Sequence, residues 1–428
     1  MSPSPGFPRA VAAAAVLDHI RPGTDLIVQS DNGEPVTVLD AVEAAAGQLE
    51  RVTVHQALAV HDRRYHAGVF GDRLHHVSYF LTAKLREHFE RGTVDLMPND
   101  LSRMPGILRE RTRDPLLLVS VSPPDRYGYV SLGTSAVYGA ALLGEARVFA
   151  EVNRRMPRTT GRNQIHLSQV VGWTEADYPL WSPPPIPITD TDRAIAGFVA
   201  ERIPHGATIQ IGIGAVPDAV AGLLVEHRDL GIHSEFFADG LRRLVEAGAA
   251  TGALKKHQRF EAVTTVSFGS PEMYTFLDDN RHVLFWPADQ TNDVRNIREH
   301  SKFCAVNATM QVDLLGQCAS ETLGSHYVSS SGGQADFMRA AALSEGGQSF
   351  IVTHATAVHG TISRIQPTLS PGAVVTTHKN VVDKVVTEHG VAELRGRTIR
   401  QRAAALIAIA APAFRDELRA AARGLGYL

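Results

Sequence analysis

Apolar segments between turn residues mark the predicted core of the chain. The clearest is Leu116 to Val121, LLLVSV, which has no charged position and is typical of a strand buried on both faces of a parallel sheet. Arg147 to Val152 is predicted as a further strand, and Ala207 to Gly214 as one that runs into a glycine turn before a helix opened by Pro217. Strands that alternate with helices in this way predict an α/β fold.

The same local order occurs twice in the chain. Pro22 to Pro35 and Pro204 to Pro217 each contain a turn, a strand, a glycine-containing loop and a proline at the start of a helix, with the same spacing of thirteen residues. Between these segments lies Trp181 to Pro187, whose prolines predict a stiff, extended linker. We therefore predict two similar α/β domains, residues 1–187 and 188–428.

Two further elements are predicted from local pattern alone. The apolar residues between Phe80 and Phe89 recur at helical intervals, which predicts a helix from His75 to Arg91. Ala373 to Thr377 is apolar and β-branched, which predicts a strand.

A single acid is prominent in Gly231 to Gly240, GIHSEFFADG. Glu235 lies inside a run with the pattern of a buried strand, and Asp239-Gly240 is predicted to end that strand in a turn. Charged side chains are seldom fully buried without a partner or a chemical role. Glu235 is therefore either a catalytic carboxylate or a glutamate at a sheet edge that is ion-paired or solvated.

Composition narrows the classes of function. The chain has 428 residues, of which 44% are hydrophobic and 20% charged, so it is globular, and its net charge of -3 gives no basic field for nucleic acid. Cys304 and Cys318 are the only cysteines, which excludes a disulfide framework and a multi-cysteine zinc site. The 19 histidines include no HExxH motif, and we expect no metal. The longest apolar run, Ala403 to Phe414, contains Pro412 and is too short for a bilayer span, so we expect a cytoplasmic protein without a membrane partner.

Two glycine loops add candidate backbone donors. Gly212-Ile213-Gly214 lies between a strand and a helix, where free N–H groups bind a phosphate or an oxyanion, although glycine also suits a plain tight turn. It is not a GxGxxG motif, because Pro217 stands where the third glycine would be. Gly332-Gly333 is a second loop with the same two interpretations.

One carboxylate and two donor loops indicate covalent catalysis on an acyl group, because a carboxylate can attack a thioester to give a mixed anhydride and a free thiolate. The chain has no GxSxG nucleophile elbow, which disfavours an ordinary serine hydrolase.

Several of these segments together resemble the acetyl-CoA hydrolase/transferase family, which includes the 4-hydroxybutyrate and butyryl-CoA:acetate CoA-transferases. The main matching segments are Ile211 to Val220, Gly231 to Gly240, Val312 to Gln317, Ser331 to Phe337, Ser363 to Thr377 and Val386 to Leu394. The resemblance extends to His76 to Leu85, Ser122 to Ser131 and Val152 to Arg158, and so covers nearly the whole chain. It implies two α/β domains of the class I CoA-transferase type with the active site between them.

The resemblance also implies roles for particular residues. Glu235 would be the nucleophile that forms acyl-glutamyl anhydride and glutamyl-CoA intermediates. The residues implied to bind coenzyme A are Gly212, Ile213, Gly214, Ala215, Val216, Met310 and Gly333. Oxyanion-hole amides would come from Ile213 and Gly333, and less surely from Gly332. Coenzyme A would be a substrate, with no permanently bound cofactor, and the protein would be a homodimer or a higher homo-oligomer.

The sequence departs from the family pattern at two positions. Ser330 stands where the family usually has the first glycine of GxGGQ, and His389 stands where tyrosine is commoner. Both departures bear on the acyl preference. His233, two residues before the nucleophile, is interpreted as a packing or positioning residue more than as a base.

We expect a CoA-transferase that moves CoA between a short-chain acyl-CoA and a carboxylate acceptor such as acetate. The alternatives are an acyl-CoA hydrolase that uses the same glutamate with water, a catalytically idle CoA-binding homologue, and a nicotinamide-dependent oxidoreductase suggested only by the strand-GIG-helix unit.

Overall fold

The computed structural model describes residues 8–428. The described chain forms two compact units. The first takes the chain up to Pro183 together with Val263–Thr291, and the second comprises Pro184–Ala262 and Asn292–Leu428. The segment Val263–Thr291 packs with the first unit although it follows the proline-rich stretch by some way in the sequence.

Residues 8–183 contain ten strands and four α-helices. The strands are β1 (Asp25–Val28), β2 (Val52–Ala57), β3 (Leu74–Phe80), β4 (Val94–Leu96), β5 (Leu116–Val121), β6 (Tyr129–Ser131), β7 (Arg147–Asn153), β8 (Thr160–Gly161), β9 (Gln164–His166) and β10 (Gly172–Ala176). The helices are α1 (Val36–Ala44), α2 (Arg86–Glu90), α3 (Met104–Arg111) and α4 (Gly139–Leu142).

The chain after Pro183 supplies the other elements. Its strands are β11 (Thr208–Ile211), β12 (Gly231–Ile232), β13 (Ala262–Thr264), β14 (Val283–Phe285), β15 (Phe303–Ala308), β16 (Gln311–Asp313), β17 (Cys318–Ala319), β18 (Thr322–Leu323), β19 (His326–Tyr327), β20 (Gln348–Val352), β21 (Thr356–Ala357), β22 (Ile362–Ser363), β23 (Ile365–Gln366), β24 (Lys384–Thr387) and β25 (Gly390–Glu393). Its helices are α5 (Asp190–Ala200), α6 (Ala215–Leu223), α7 (Asp239–Glu246), α8 (Pro271–Leu277), α9 (Ala288–Thr291), α10 (Val294–Ile297), α11 (Gln334–Leu343), α12 (Ile399–Ile409) and α13 (Arg415–Gly424).

The first unit is built on a seven-stranded sheet in the order β10-β7-β5-β1-β2-β3-β4, in which every neighbouring pair is parallel. β5 is buried at all six positions between β7 and β1, as its apolar sequence predicts. The core of this unit packs α1 against the sheet through Val38, Leu39 and Val42.

The second unit is built on a six-stranded sheet in the order β12-β11-β15-β20-β24-β25, parallel except for the pair β24 and β25. Its core includes Phe303 of β15, Phe337 of α11 and Ile351 of β20. Together the two sheets confirm the α/β class. Both predicted strand-loop-helix segments form, as β1 followed by α1 and as β11 followed by α6.

Three local predictions are wrong. The segment predicted as a helix from His75 to Arg91 is strand β3 and then the short helix α2, because its first half inserts between β2 and β4. Residues 373–377 form no strand, although Thr377 makes an isolated bridge to Cys318. Asp239 begins helix α7 instead of forming a turn.

No helix among residues 8–428 is both long and apolar enough to cross a membrane.

A buried carboxylate occupies the amino-terminal end of α1. Glu151 of β7 is fully buried and accepts hydrogen bonds from the backbone N–H of Thr37 at 2.8 Å and of Val38 at 3.1 Å. The hydroxyl groups of Thr37 and Tyr178 also donate to this carboxylate. The first N–H groups of a helix have no acceptor within the helix, so Glu151 satisfies donors that burial would otherwise leave unpaired.

We predict that Glu151→Ala lowers the free energy of unfolding by about 3 kcal/mol, since it leaves four donors without their acceptor. Urea unfolding followed by far-ultraviolet circular dichroism measures the change. The control is Glu145→Ala, which removes an exposed ion pair with Arg109 and should cost less than about 0.5 kcal/mol. Equal losses of the free energy of unfolding in the two variants would contradict the large contribution that we predict for the buried Glu151 carboxylate.

Candidate active site

The predicted site residues of the second unit follow neighbouring parallel strands. The glycine loop follows β11, Glu235 follows β12 and Met310 follows β15. Because the carboxyl ends of parallel strands meet at one edge of a sheet, these segments share that edge, and β11 is the strand at which the chain order reverses. Such a switch point is the usual ligand site of an open α/β sheet.

Glu235 lies in a bend three residues beyond the end of β12. The expected strand around it is only two residues long, so the expectation of an extended Glu235 is wrong. The bend is held to β11 by His233, whose N–H donates to the Ile209 carbonyl at 3.1 Å, and by Ser234, whose hydroxyl donates to the Ile211 carbonyl at 3.3 Å. These bonds fix the backbone on which the carboxylate is carried.

The Glu235 side chain is half-buried and is bound by two amide donors. Nδ2 of Asn292 donates to Oε2 of Glu235 at 2.6 Å, and the backbone N–H of Gly333 donates to the same carboxylate. Asn292 is fully buried. The carboxylate is therefore held in one orientation by neighbours distant in the sequence.

The surroundings of Glu235 favour its neutral form. Burial raises the pKa of Glu235 to about 7; the hydrogen bond from Asn292 opposes this shift, the charge of the Asp336 carboxylate adds to it, and the N–H of Gly333 opposes it. Asp336 is itself buried, in the first turn of α11. A carboxylate of this pKa is more basic than an ordinary one, and about half of it is ionised near pH 7.

The position of Gly333 has no room for a side chain. It precedes α11, and a Cβ at this position would lie 1.9 Å from Oε2 of Glu235 and 2.2 Å from Nδ2 of Asn292. Its neighbour Gly332 has φ +53, in the left-handed region that favours glycine. The predicted Gly-Gly loop therefore approaches the nucleophile candidate directly, whereas the predicted role of its amides toward an oxyanion stays a prediction.

The segment from Gly212 to Val216 runs from the end of β11 through a short loop into the first turn of α6. The N–H of Gly212 donates to the Val306 carbonyl at 3.0 Å, and Gly214 has φ 122 and ψ 176 just before α6 begins at Ala215. Ile213 at the loop tip is 46% exposed. The first N–H groups of α6 have no acceptor within the helix, which makes this end of α6 suitable for an anionic ligand.

Met310 lies just after β15, half-buried, and its N–H donates to the Ala319 carbonyl at 3.2 Å. The adjacent Thr309 hydroxyl is 2.9 Å from that of Ser320, which accepts a hydrogen bond from Gln334 at the start of α11. The residue next to Met310 is thus linked through side chains to the helix that begins after Gly333.

His233 is buried, and its ring packs against that of His300 with centroids 5.3 Å apart. His389 lies between β24 and β25, next to Glu388. Sequence reasoning missed Asn292, which lies in no motif that it used. Gln334 and Asp336 fell within the quoted SGGQADF segment, where only the glycines were given roles.

Within residues 8–428, no group of three or more histidine, cysteine, aspartate or glutamate residues is arranged to hold a metal ion.

A carboxylate oriented by amide donors, at the carboxyl edge of an open parallel sheet, has the chemistry of a candidate nucleophile. Comparison with known proteins gives the family. The chain matches the acetyl-CoA hydrolase/transferase N-terminal domain over residues 8–185 and the C-terminal domain of the same family over residues 269–422.

Two curated relatives match along nearly their whole length. The succinyl-CoA:cyclohexane-1-carboxylate CoA transferase of Geobacter metallireducens is 40% identical over 425 residues, which cover 98% of this chain and 95% of the relative. The 4-hydroxybutyrate coenzyme A transferase of Clostridium kluyveri is 37% identical over 412 residues, 96% of each chain. The crystal structure of RipA from Yersinia pestis superposes with a TM-score of 0.93 at 33% identity and covers 98% of both chains. The chain belongs to the acetyl-CoA hydrolase/transferase family and is an enzyme.

The raised pKa of Glu235 predicts a pH-dependent stability difference for Glu235→Gln. The folded protein holds the Glu235 proton more tightly than the unfolded chain, whose glutamate pKa is near 4.5. The wild type therefore loses stability as pH rises from about 4.5 through about 7, and the glutamine variant does not.

We expect the melting temperature of Glu235→Gln to exceed that of the wild type by about 2 °C or more at pH 8 and to approach it at pH 5. Differential scanning calorimetry at both pH values measures this. The control is Glu226→Gln, which makes the same substitution at an exposed glutamate of the same unit. A difference for Glu235→Gln that is the same at pH 5 and pH 8 would show that Glu235 has an ordinary pKa.

Proposed function

We propose that the protein is a CoA-transferase that moves CoA from a short-chain acyl-CoA to a carboxylate acceptor such as acetate, by a ping-pong route through Glu235. The single observation that carries the proposal is the Glu235 carboxylate, held by Asn292 and the Gly333 amide with a pKa raised to about 7. The two curated relatives are both named as CoA transferases, which supports the same reaction class here.

The reaction starts with nucleophilic attack. One oxygen of Glu235 attacks the thioester carbonyl carbon of the acyl-CoA, the C–S bond breaks, and the CoA thiolate leaves with the electron pair, so that a mixed anhydride remains on the enzyme. The thiolate then attacks the carbonyl carbon of Glu235 and releases the donor acid as a carboxylate. The acceptor carboxylate takes CoA from the glutamyl thioester by the reverse of the same two steps.

The donors at Glu235 suit the second attack. When the thiolate adds to the Glu235 carbonyl carbon, negative charge develops on an oxygen that already faces Asn292 Nδ2 or the Gly333 N–H. Fixed donors aimed at developing charge stabilise a transition state without reorganising. In the proposal the Ile213 amide serves the oxyanion of the substrate acyl group, and residues 212–216 with Met310 bind coenzyme A.

Covalent labelling tests the proposal. We predict that brief incubation with acetyl-CoA places a CoA thioester on the peptide that contains Glu235, detectable by peptide mass spectrometry. Glu235→Ala should show no adduct and no transfer of CoA to a carboxylate acceptor, because it lacks the nucleophile. Glu226→Ala, which removes an exposed glutamate of the same unit, should label like the wild type.

Three outcomes separate the alternatives. An adduct at Glu235, with CoA transfer that requires an added carboxylate, supports the transferase. Release of free CoA at the same rate with and without a carboxylate acceptor would replace it with the acyl-CoA hydrolase, in which water takes the acyl group. Neither adduct nor CoA release from any short-chain acyl-CoA would exclude both enzymes.

The Gly333 contact gives a second prediction. Gly333→Ala should lower the rate of adduct formation by about 100-fold or more, because the added Cβ must displace both Glu235 Oε2 and Asn292 Nδ2. Stopped-flow release of CoA in a single turnover measures the rate. Gly197→Ala is the control, since a Cβ there meets no atom within 4 Å, and its rate should stay within about twofold of the wild type. A Gly333→Ala variant as fast as that control would remove Gly333 from the site.

A further inference from the structure

The outer edge of β12, the strand that leads to Glu235, is covered by the chain between α7 and β13. β12 is the terminal strand of the six-stranded sheet, so one side of its backbone has no strand partner. The N–H of Leu230 donates to the Ala249 carbonyl and the N–H of Gly252 donates to the Leu230 carbonyl, both at 2.9 Å. These two bonds satisfy the edge at the start of the strand.

The next carbonyl along the same edge is satisfied by a charged side chain. Nζ of Lys255 donates to the Ile232 carbonyl at 3.0 Å and to the Glu261 carbonyl at 2.7 Å. Ile232 is the last residue of β12, three positions before Glu235. Lys255 is only 3% exposed, so its ammonium group depends on these carbonyls in place of water.

The aliphatic stem of Lys255 leaves no room for a side chain at Gly231, the residue before Ile232. A Cβ at Gly231 would lie 2.5 Å from Cγ of Lys255 and 2.8 Å from Oγ1 of Thr208. The lysine therefore crosses β12 where the strand has no side chain. This close approach explains the glycine and shows that the strand and the lysine fit each other closely.

Burying an ammonium group at this position is unfavourable for the stability of the folded protein. Burial lowers the pKa of Lys255 to about 7, which means that the protein gives up part of the free energy of lysine protonation to keep the group inside. β12 contains two residues and pairs with β11 only through Thr208 with Gly231 and Ile209 with Ile232. On its inner side the chain that leaves β12 is held by the bonds of His233 and Ser234 to β11, and on its outer side it is held by the bond from Lys255 to the Ile232 carbonyl.

We propose that Lys255 is a positioning residue for the reaction at Glu235: it holds the Ile232 carbonyl and thereby orients the bend that carries the nucleophile. Lys255 touches neither substrate nor reacting atoms in this role. The proposal rests on the proposed function, because it requires Glu235 to be the group that reacts.

The test uses Lys255→Met, which keeps an unbranched apolar stem of similar length and removes the donors. We expect the single-turnover rate of adduct formation at Glu235 and kcat to fall at least about tenfold, with KM for acetyl-CoA within about twofold, since the nucleophile is displaced and the CoA-binding loop is not. Lys255→Arg restores donors and should recover part of the lost kcat.

The matched control is Lys384→Met. Lys384 is a second buried lysine of the same unit, and its Nζ lies 2.7 Å from a carboxylate oxygen of Asp383. It begins β24, and three strands lie between β24 and β12 in the sheet. Its loss should lower the melting temperature and leave kcat per folded molecule within about twofold of the wild type. If kcat fell only because the protein is less stable, Lys255→Met and Lys384→Met would lose kcat equally.

Folded Lys255→Met with wild-type kcat overturns the proposal, as does an equal loss of kcat in Lys384→Met. Should Lys255→Met fail to fold, Lys255→Gln takes its place. Its amide nitrogen lies one bond nearer the main chain than Nζ and does not reach both carbonyls, so unchanged kcat there also overturns the proposal. Absence of a Glu235 adduct in the wild type contradicts the proposed function instead, and so is distinguishable from a failure of the Lys255 proposal.

Discussion

The contact between the Glu235 carboxylate and the Gly333 amide constrains the rest of the second unit. It requires that the residue before α11 have no side chain and that the chain turn sharply after a two-residue strand. Asn292, from a distant part of the sequence, donates to the same carboxylate. Removing any one of these conditions moves the carboxylate away from the donors or leaves it without them.

The two units use one local design for different purposes. In each, a central parallel strand leads through a loop into a helix whose amino terminus lies at the carboxyl edge of the sheet, as β1 leads to α1 and β11 to α6. In the first unit the protein fills this end of the helix with its own buried Glu151. In the second unit the corresponding loop carries the exposed Ile213. The occupied helix end satisfies buried donors of the fold, and the exposed loop is where we propose that an anionic ligand binds.

Sequence pattern predicts best where burial is uniform along an element. The predicted bounds of β5 agree with the structure because every one of its positions is apolar or small and is buried. The helix predicted over 75–91 failed because the apolar residues from Phe80 onward match helical spacing, whereas the preceding HHV segment pairs with β2 through backbone bonds that composition does not encode. Glu235 and the glycine loops were found from local motifs. Local pattern could not predict the roles of Asn292 and Lys255 or the raised pKa of Glu235. All three result from contacts between segments that are distant in the sequence.

In the proposed reaction, the site balances two opposing demands on the Glu235 carboxylate. Burial and the Asp336 charge make the Glu235 carboxylate more basic, which strengthens its attack, but the same surroundings favour the protonated form that cannot attack. Asn292 and Gly333 act in the other direction, because hydrogen bonds to the charged form lower the pKa and fix its orientation. A pKa near 7 is a compromise at which a large fraction of Glu235 is ionised at neutral pH while its basicity exceeds that of an exposed glutamate. In the proposed reaction, the donors that limit its basicity before attack are also those that stabilise the oxyanion when the thiolate returns to it.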